Sequence, residues 1–305
     1  MTLTPEQKEA RRKRIGASDI SAIVDYYGPK DSPHYVKCNP FKSAADVWAS
    51  KVLGADEEAG EAAEMGSMLE PVIIEYAENA LNESIVRHVE HAASDVVVAM
   101  LDGILHSGLP IEAKSVGPRS PVLSEFGDEG SDFIPNCYLW QCQIAMAATN
   151  AEVCELFAMI ASRGFTPCRF TITRNDFLID RGLKYAERFW NEHVLTGVAP
   201  EGCEPASLSA LKKIQRVHDK TVEVPADLVE QVQTLRRLVN ATTKEKESAE
   251  SRLLMALGDA TCGTCELGTV EIVTSKRRGY TVADGETTKL VVPKTKGEVL
   301  IGGDY

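Results

Sequence analysis

The 305-residue chain has no apolar run approaching the roughly 18 to 20 residues that cross a bilayer. Its polar start, MTLTPEQKEARRKR, is not followed by the apolar stretch of an export signal. Export and membrane insertion are therefore not expected, and the reading is cytoplasmic. A disulfide framework is also missing, because the eight cysteines are scattered and only Cys262 and Cys265 lie close together. A single CxxC cannot complete a four-ligand zinc site, and its glycine-rich surroundings suit a turn. No P-loop or GxSxG spacing occurs, which removes an intrinsic ATP motor and a serine hydrolase. There is no internal repeat. The six histidines show no ligand-like grouping, since His88 and His91 would face opposite sides of a strand, and they read as structural. A net charge of −12 excludes coating nucleic acid with a broad basic surface, though not a local grip.

What is present is an ordinary globular composition, 44% hydrophobic and 26% charged, enough for a substantial core. The length favours one large domain and a smaller one. Charge is segregated: Arg11, Arg12, Lys13 and Arg14 are adjacent, whereas residues 56–83 contain acids and no Lys or Arg. That acidic stretch reads as a solvated helix face or as carboxylates held for cations.

Helical signals cover residues 5–26, broken at Gly16-Ala17-Ser18, with Ser18 or Asp19 as the cap. A Gly, Pro and Asp-rich loop leads to a short helix at 43–53. A further helix is expected over 65–81, with Pro71 near its first turn, where a missing N–H costs little. Strands follow at 84–89, 95–101 and 110–116. The run Val96 to Leu101 has no polar side and predicts a strand covered on both faces. A helix at 135–148, strands at 153–160 and 169–173, and a helix at 176–195 complete this part. The composition break at 196–206 places the domain boundary near residue 200, giving domains 1–200 and 201–305. Beyond it, Pro225 opens a long helix, stopped by Gly258, whose Leu228, Val232, Leu235, Val239, Leu253 and Leu257 form packed stripes. Short strands and turns end the chain. Trp48, Trp140 and Trp190 fall at apolar helix positions and read as core.

The chemistry-bearing stretch is Leu101-Asp102-Gly103 followed by Ile111-Glu112-Ala113-Lys114. On a strand, Glu112 and Lys114 share one face while Ala113 points away, and Asp102 at the end of the preceding strand can meet them. Two carboxylates at adjacent strand ends suit Mg²⁺ or Mn²⁺, which take hard oxygen ligands and leave places for water and phosphate. A lysine beside such an ion can orient or deprotonate the attacking water. Read alone, the same residues also fit a surface hairpin with an ion pair of little worth. The Glu-x-Lys pattern is common by chance and recurs at Glu6-Gln7-Lys8.

These residues stand in a longer order: Arg14-Ile15-Gly16-Ala17-Ser18-Asp19-Ile20, Asn39-Pro40-Phe41, Gly66-Ser67-Met68-Leu69-Glu70-Pro71, the hairpin just described, and Tyr138-Leu139-Trp140-Gln141-Cys142-Gln143. The order resembles the YqaJ-like viral recombinase nucleases, relatives of phage lambda exonuclease in the PD-(D/E)XK superfamily, over about residues 10–200. The resemblance implies an α/β, restriction-endonuclease-like core with a central mixed sheet flanked by helices, plus a C-terminal helical and small-β extension. It implies a 5′-to-3′ exonuclease on linear double-stranded DNA, releasing 5′-phosphomononucleotides and leaving 3′ overhangs for a single-strand annealing protein. By the same resemblance, Asp102, Glu112, the Ala113 carbonyl and Glu70 form the shell of one or two Mg²⁺ ions, with Mn²⁺ as a substitute. Lys114 is the catalytic lysine, Tyr138 and Gln141 lie on the helix beside the site, and Arg14 and Ser18 hold the DNA-end phosphate. A ring-shaped trimer around DNA is also implied. Leu101 stands where the superfamily name has proline, a position that carries no ligand. The alternative is a catalytically inactive nuclease-fold module that binds DNA ends or a recombination partner.

Overall fold

The computed structural model describes residues 12–28, 36–55 and 60–273. The expected helical signals at 5–11, most of the loop before Asn39, and the end of the chain lie outside the described residues. Two compact units divide between Gln215 and Arg216. The residues just past the composition break stay with the first unit, where Ala206, Ala210, Leu211 and Ile214 pack against Ala49 and Ala55.

In the first unit, β1 (Ile15–Gly16) leads through a 3₁₀ turn, Ala17–Asp19, into α1 (Ile20–Tyr27). Next come α2 (Ala44–Trp48), prolonged by a π-helical turn, Ala49–Leu53, and α3 (Glu61–Leu81). Strands β2 (Ile85–Ala92), β3 (Val97–Leu105) and β4 (Pro110–Val116) are followed by α4 (Asn136–Thr149). Then β5 (Val153–Ile160), β6 (Cys168–Thr173), α5 (Asp176–Phe189) with a terminal π turn, and α6 (Leu208–Lys212) close the unit. The sheet runs β1-β3-β4-β5-β6 with β2 added on β3. Its β1–β3 and β4–β5 pairs are parallel and the others antiparallel, so it is the mixed sheet expected.

Helices cover both faces, and strand alternation decides which residue meets which layer. Along β5, Leu156 joins Cys142 and Met146 of α4, while the next residue, Phe157, joins Ile73, Ile74 and Ala77 of α3. Ile20 and Ile23 of α1, Trp140 and Ile144 of α4, and Ala186 and Phe189 of α5 enclose Val97, Ala99 and Leu101. Helix α4 is buried around much of its circumference, as a helix wedged between layers must be.

The loop into α2 is organised by a buried amide. Asn39 Nδ2 donates to Ser21 Oγ at 2.9 Å, and its Oδ1 accepts the N–H groups of Phe41 and Lys42 at 2.9 and 3.0 Å. Asp25 accepts the Cys38 and Asn39 amides. Ser43 then caps α2, exchanging bonds with Asp46 in a capping box.

Several sequence expectations for this unit need correcting. Ile15–Gly16 is strand rather than helix, because its backbone pairs with Val97 and Val98. Pro71 lies inside α3, not in its first turn. The Ser67 carbonyl loses its helical donor there, but both residues are exposed, so water can serve it. Met100 is exposed, so the run Val96 to Leu101 is covered fully on one face only.

The second unit holds α7 (Ala226–Leu257) and a hairpin of β7 (Cys262–Cys265) and β8 (Gly268–Glu271). Gly258, with φ +60°, ends α7 as expected. No residue of α7 is buried, and Leu228, Leu235, Val239 and Leu253 are exposed rather than packed. Cys262 and Cys265 occupy a strand, not a turn, and both are exposed. Among the described residues no helix is long and apolar enough to cross a membrane.

Candidate active site

Strand β3 has two edges. Strand β2 follows one of them, while β1 takes Val97 and Val98 on the other and β4 takes Gly103 and Ile104. Residues 99–102 are therefore left unpaired between β1 and β4. Asp102 lies inside β3 rather than at its end, but it is where pairing with β4 stops. Beyond Gly103 and Ile111 the strands part, and Asp102 Oδ2 accepts the Ala113 N–H at 2.9 Å instead.

Alternation also slips at this point. Leu101 and Ile104, three residues apart, both pack on the α1, α4 and α5 layer, while Gly103 abuts Ile74 of α3. Opposite, the β2–β3 ladder pairs Arg87 with Gly103 and Val89 with Leu101 but skips His88 and Asp102. His88 has φ +57°, a left-handed backbone inside a strand that costs on the order of 1 to 3 kcal/mol. Such local breaks in a ladder re-aim side chains.

Glu112 and Lys114 share a face of β4, as expected, and meet α4. Glu112 is only 2% exposed. Its Oε1 accepts from Lys114 Nζ and from Gln141 Nε2 at 2.5 Å. Lys114 Nζ lies 3.8 Å from Asp102 Oδ2 and 5.4 Å from the Tyr138 ring centre. Ala113 packs on the opposite layer against α3. Glu70, on α3, interacts electrostatically with Asp102 and Lys114, and its Oε1 is 3.7 Å from His88 Nδ1.

Burial pushes the Glu112 carboxyl up to about 8, and the charge of Asp102 adds to this against the pull of Lys114. Burial opposes the charge on Lys114, but Glu112 and Asp102 together overcome it and hold the ammonium protonated. The Tyr138 hydroxyl is raised to about 12 by burial, partly offset by Lys114. Burial and Asp102 also raise Glu70, with His88 and Lys114 acting in the opposite sense. Burial and mutual repulsion thus raise the acids around a single ammonium, a strain that a further cation would relieve.

The structure brings together Asp102, Glu112, Lys114, Tyr138 and Gln141, with Glu70 beside them. Among the described residues, no three His, Cys, Asp or Glu side chains already converge as a metal cage. The Lys114 ammonium occupies the space between the acids. For Ala113, the group engaged here is its N–H. Arg14 stands apart, 3.5 Å from Glu90 on β2. Ser18 is half-buried in the 3₁₀ turn after β1. Beside Glu70 stands a residue that the sequence did not single out, His88. A lone histidine in a strand carries no spacing signal, and its left-handed backbone is invisible before the strands are paired.

Residues 6–152 match the family model described as the YqaJ-like viral recombinase domain. The Bacillus subtilis (strain 168) protein named "Uncharacterized protein YqaJ" is 24% identical over 265 residues, spanning 83% of this chain and 78% of its own. Among solved structures, the alkaline exonuclease LHK-Exo of Laribacter hongkongensis superposes with a TM-score of 0.48 at 18% identity, covering 64% of this chain and 94% of the other. A phage-related exonuclease of Haemophilus somnus 129PT gives a TM-score of 0.45 at 11% identity, covering 60% and 96%.

Proposed function

With a YqaJ-like viral recombinase domain over residues 6–152 as the premise, we propose that this chain is a metal-dependent exonuclease acting 5′ to 3′ on linear duplex DNA. The observation that carries the reading is the meeting of Asp102, Glu112 and Lys114 where β3 and β4 part, with Gln141 on the second acid.

The donor set fits Mg²⁺ or Mn²⁺. Asp102, Glu112, Glu70 and the Ala113 carbonyl offer only hard oxygens, and the acids outnumber the one ammonium among them. Bound there, the ion would supply Lewis acidity toward the scissile phosphate and its attacking water. The protein's own groups do the rest. Lys114, held charged by its two acids, orients the water and can donate a proton to the leaving oxygen. Gln141 fixes the Glu112 carboxylate by a direct bond, and Asp102 is fixed by the Ala113 amide. Tyr138 flanks the lysine and keeps bulk water away from it.

Arg14 and Ser18 hold the terminal phosphate. The Arg14–Glu90 pair is about half exposed and worth little, so its guanidinium can exchange a carboxylate for a phosphate. The 3′ overhang left behind suits a single-strand annealing protein, and a trimeric ring around the duplex would give processivity.

The test is digestion of a blunt, 5′-phosphorylated linear duplex. Mononucleotide release from the 5′ strand in Mg²⁺, and none in excess EDTA, is expected. Equal cutting in EDTA overturns the mechanism. End binding with no cutting in Mg²⁺ or Mn²⁺ identifies a non-enzymatic end-binding module instead.

A further inference from the structure

The conformation of His88 has no local cause. It sits in the interior of β2, flanked by paired residues, without the turn that normally accompanies a positive φ, and it is not a glycine. Its position answers the slip of β3 at Asp102, because the two residues skipped by the ladder face each other. A glycine would satisfy this backbone without strain. The imidazole carried by this strained backbone lies 3.7 Å from the carboxylate of Glu70 on α3.

We infer that His88 is a positioning residue that orients Glu70 toward the cation site shared with Asp102 and Glu112. The inference rests on the nuclease reading above and deepens it. Glu70 belongs to a different layer from the other two acids, on a helix whose first half is exposed and contains Pro71. No strand ladder holds its carboxylate in register with theirs. Asp102 is anchored by a backbone amide and Glu112 by Gln141 and Lys114. For the third acid the nearby group is His88, whose Nδ1 stands 3.7 Å from Glu70 Oε1, beyond hydrogen-bond distance but within reach of a small rotation, at the strand position opposite Asp102. Partners that orient a metal-binding group generally change metal affinity by 10 to 100-fold when removed.

The experiment is calorimetric titration of the full chain with Mn²⁺ in the absence of DNA. His88→Gly keeps the left-handed backbone and removes the ring, and His88→Asn tolerates that backbone while keeping an N–H donor. His88→Gly is expected to weaken Mn²⁺ binding about tenfold, with His88→Asn recovering part of the loss. In a Glu70→Gln background, His88→Gly should add no further loss, because the ring acts through that carboxylate. Unchanged Mn²⁺ affinity in His88→Gly, while Asp102→Asn abolishes binding, overturns the role of His88 and leaves the nuclease reading standing. An equal, additive loss in both backgrounds also overturns it, since the ring would then act without Glu70. If the unaltered chain neither binds Mn²⁺ nor cuts DNA, the nuclease reading falls and this inference falls with it.

Discussion

Asp102 Oδ2 accepts the Ala113 N–H at 2.9 Å, one residue beyond the last β3–β4 pair. A carboxylate has thus taken over a bond that the neighbouring strand's backbone would otherwise make. This satisfies a donor exposed by the parting strands, so the opening beside Glu112 and Lys114 does not leave that amide unpaired. The same bond fixes one oxygen of Asp102.

Lys114→Met should lower kcat on linear duplex by about 10²- to 10⁴-fold, the usual span for a proton-handling group. With its counter-charge gone, Glu112 can take up a proton, since burial already raises it to about 8. The fold should therefore survive, with a normal circular dichroism spectrum and DNA-end binding retained. Turnover at the unaltered rate removes Lys114 from the mechanism.

Asp19 should make stability depend on acid. Burial alone would raise its carboxyl, but Lys42 and Lys51, 2.6 and 3.1 Å away, outweigh burial and hold it well below the usual carboxylate range. A depressed carboxyl contributes stability above its unfolded value of about 4 and loses it as pH falls further. Asp19→Asn should cost about 3 kcal/mol near pH 6, because Lys42 and Lys51 lose the buried carboxylate they share. In melting curves, the gap between the two proteins should narrow steadily below pH 4. A gap independent of pH contradicts the assignment.

Gly103→Ala should destabilise by about 1 to 3 kcal/mol through overpacking. A Cβ at this position would collide with Ile85 Cγ2 and approach Ile111 and Ile74. Chemical denaturation checks the figure, and Ile85→Ala, which removes Cγ2, should cost less in the Gly103→Ala chain than in the unaltered one.

Asn39→Ala should cost about 2 kcal/mol, because the amides of Phe41 and Lys42 lose their acceptor. The loop it organises carries Lys42 to Asp19, so the acid dependence of stability should weaken in this variant too. A melting temperature equal to that of the unaltered protein would show that the loop holds without the amide.

Much of the architecture is legible from period and punctuation. Glu112 and Lys114 fall on one face of β4 because strand side chains alternate, and this needs no partner to be known. Helix α7 runs from Pro225 to Gly258 as its two boundary residues require. Where such local rules mislead, a tertiary partner has intervened. Ile15 and Gly16 become strand only because β3 offers a free edge, and Met100 is exposed because, among the described residues, no helix covers it there. Pro71 is tolerated inside α3 because that turn of the helix meets water.

The amino-acid order by itself determined which residue types the candidate site has and on which elements they ride: two acids and a lysine on neighbouring strands, with a tyrosine and a glutamine one helix turn apart. Only the tertiary structure decided that Asp102 stands inside its strand, that an alternation slip turns it toward Ala113, that Glu70 comes within electrostatic range of it, and that His88 has a left-handed backbone opposite it. Local sequence specifies periodicity, which is a property of one strand or one helix. The slip, the parted edge and the approach of α3 depend on pairing and packing between segments far apart in the chain, and those are set only when the layers close on one another.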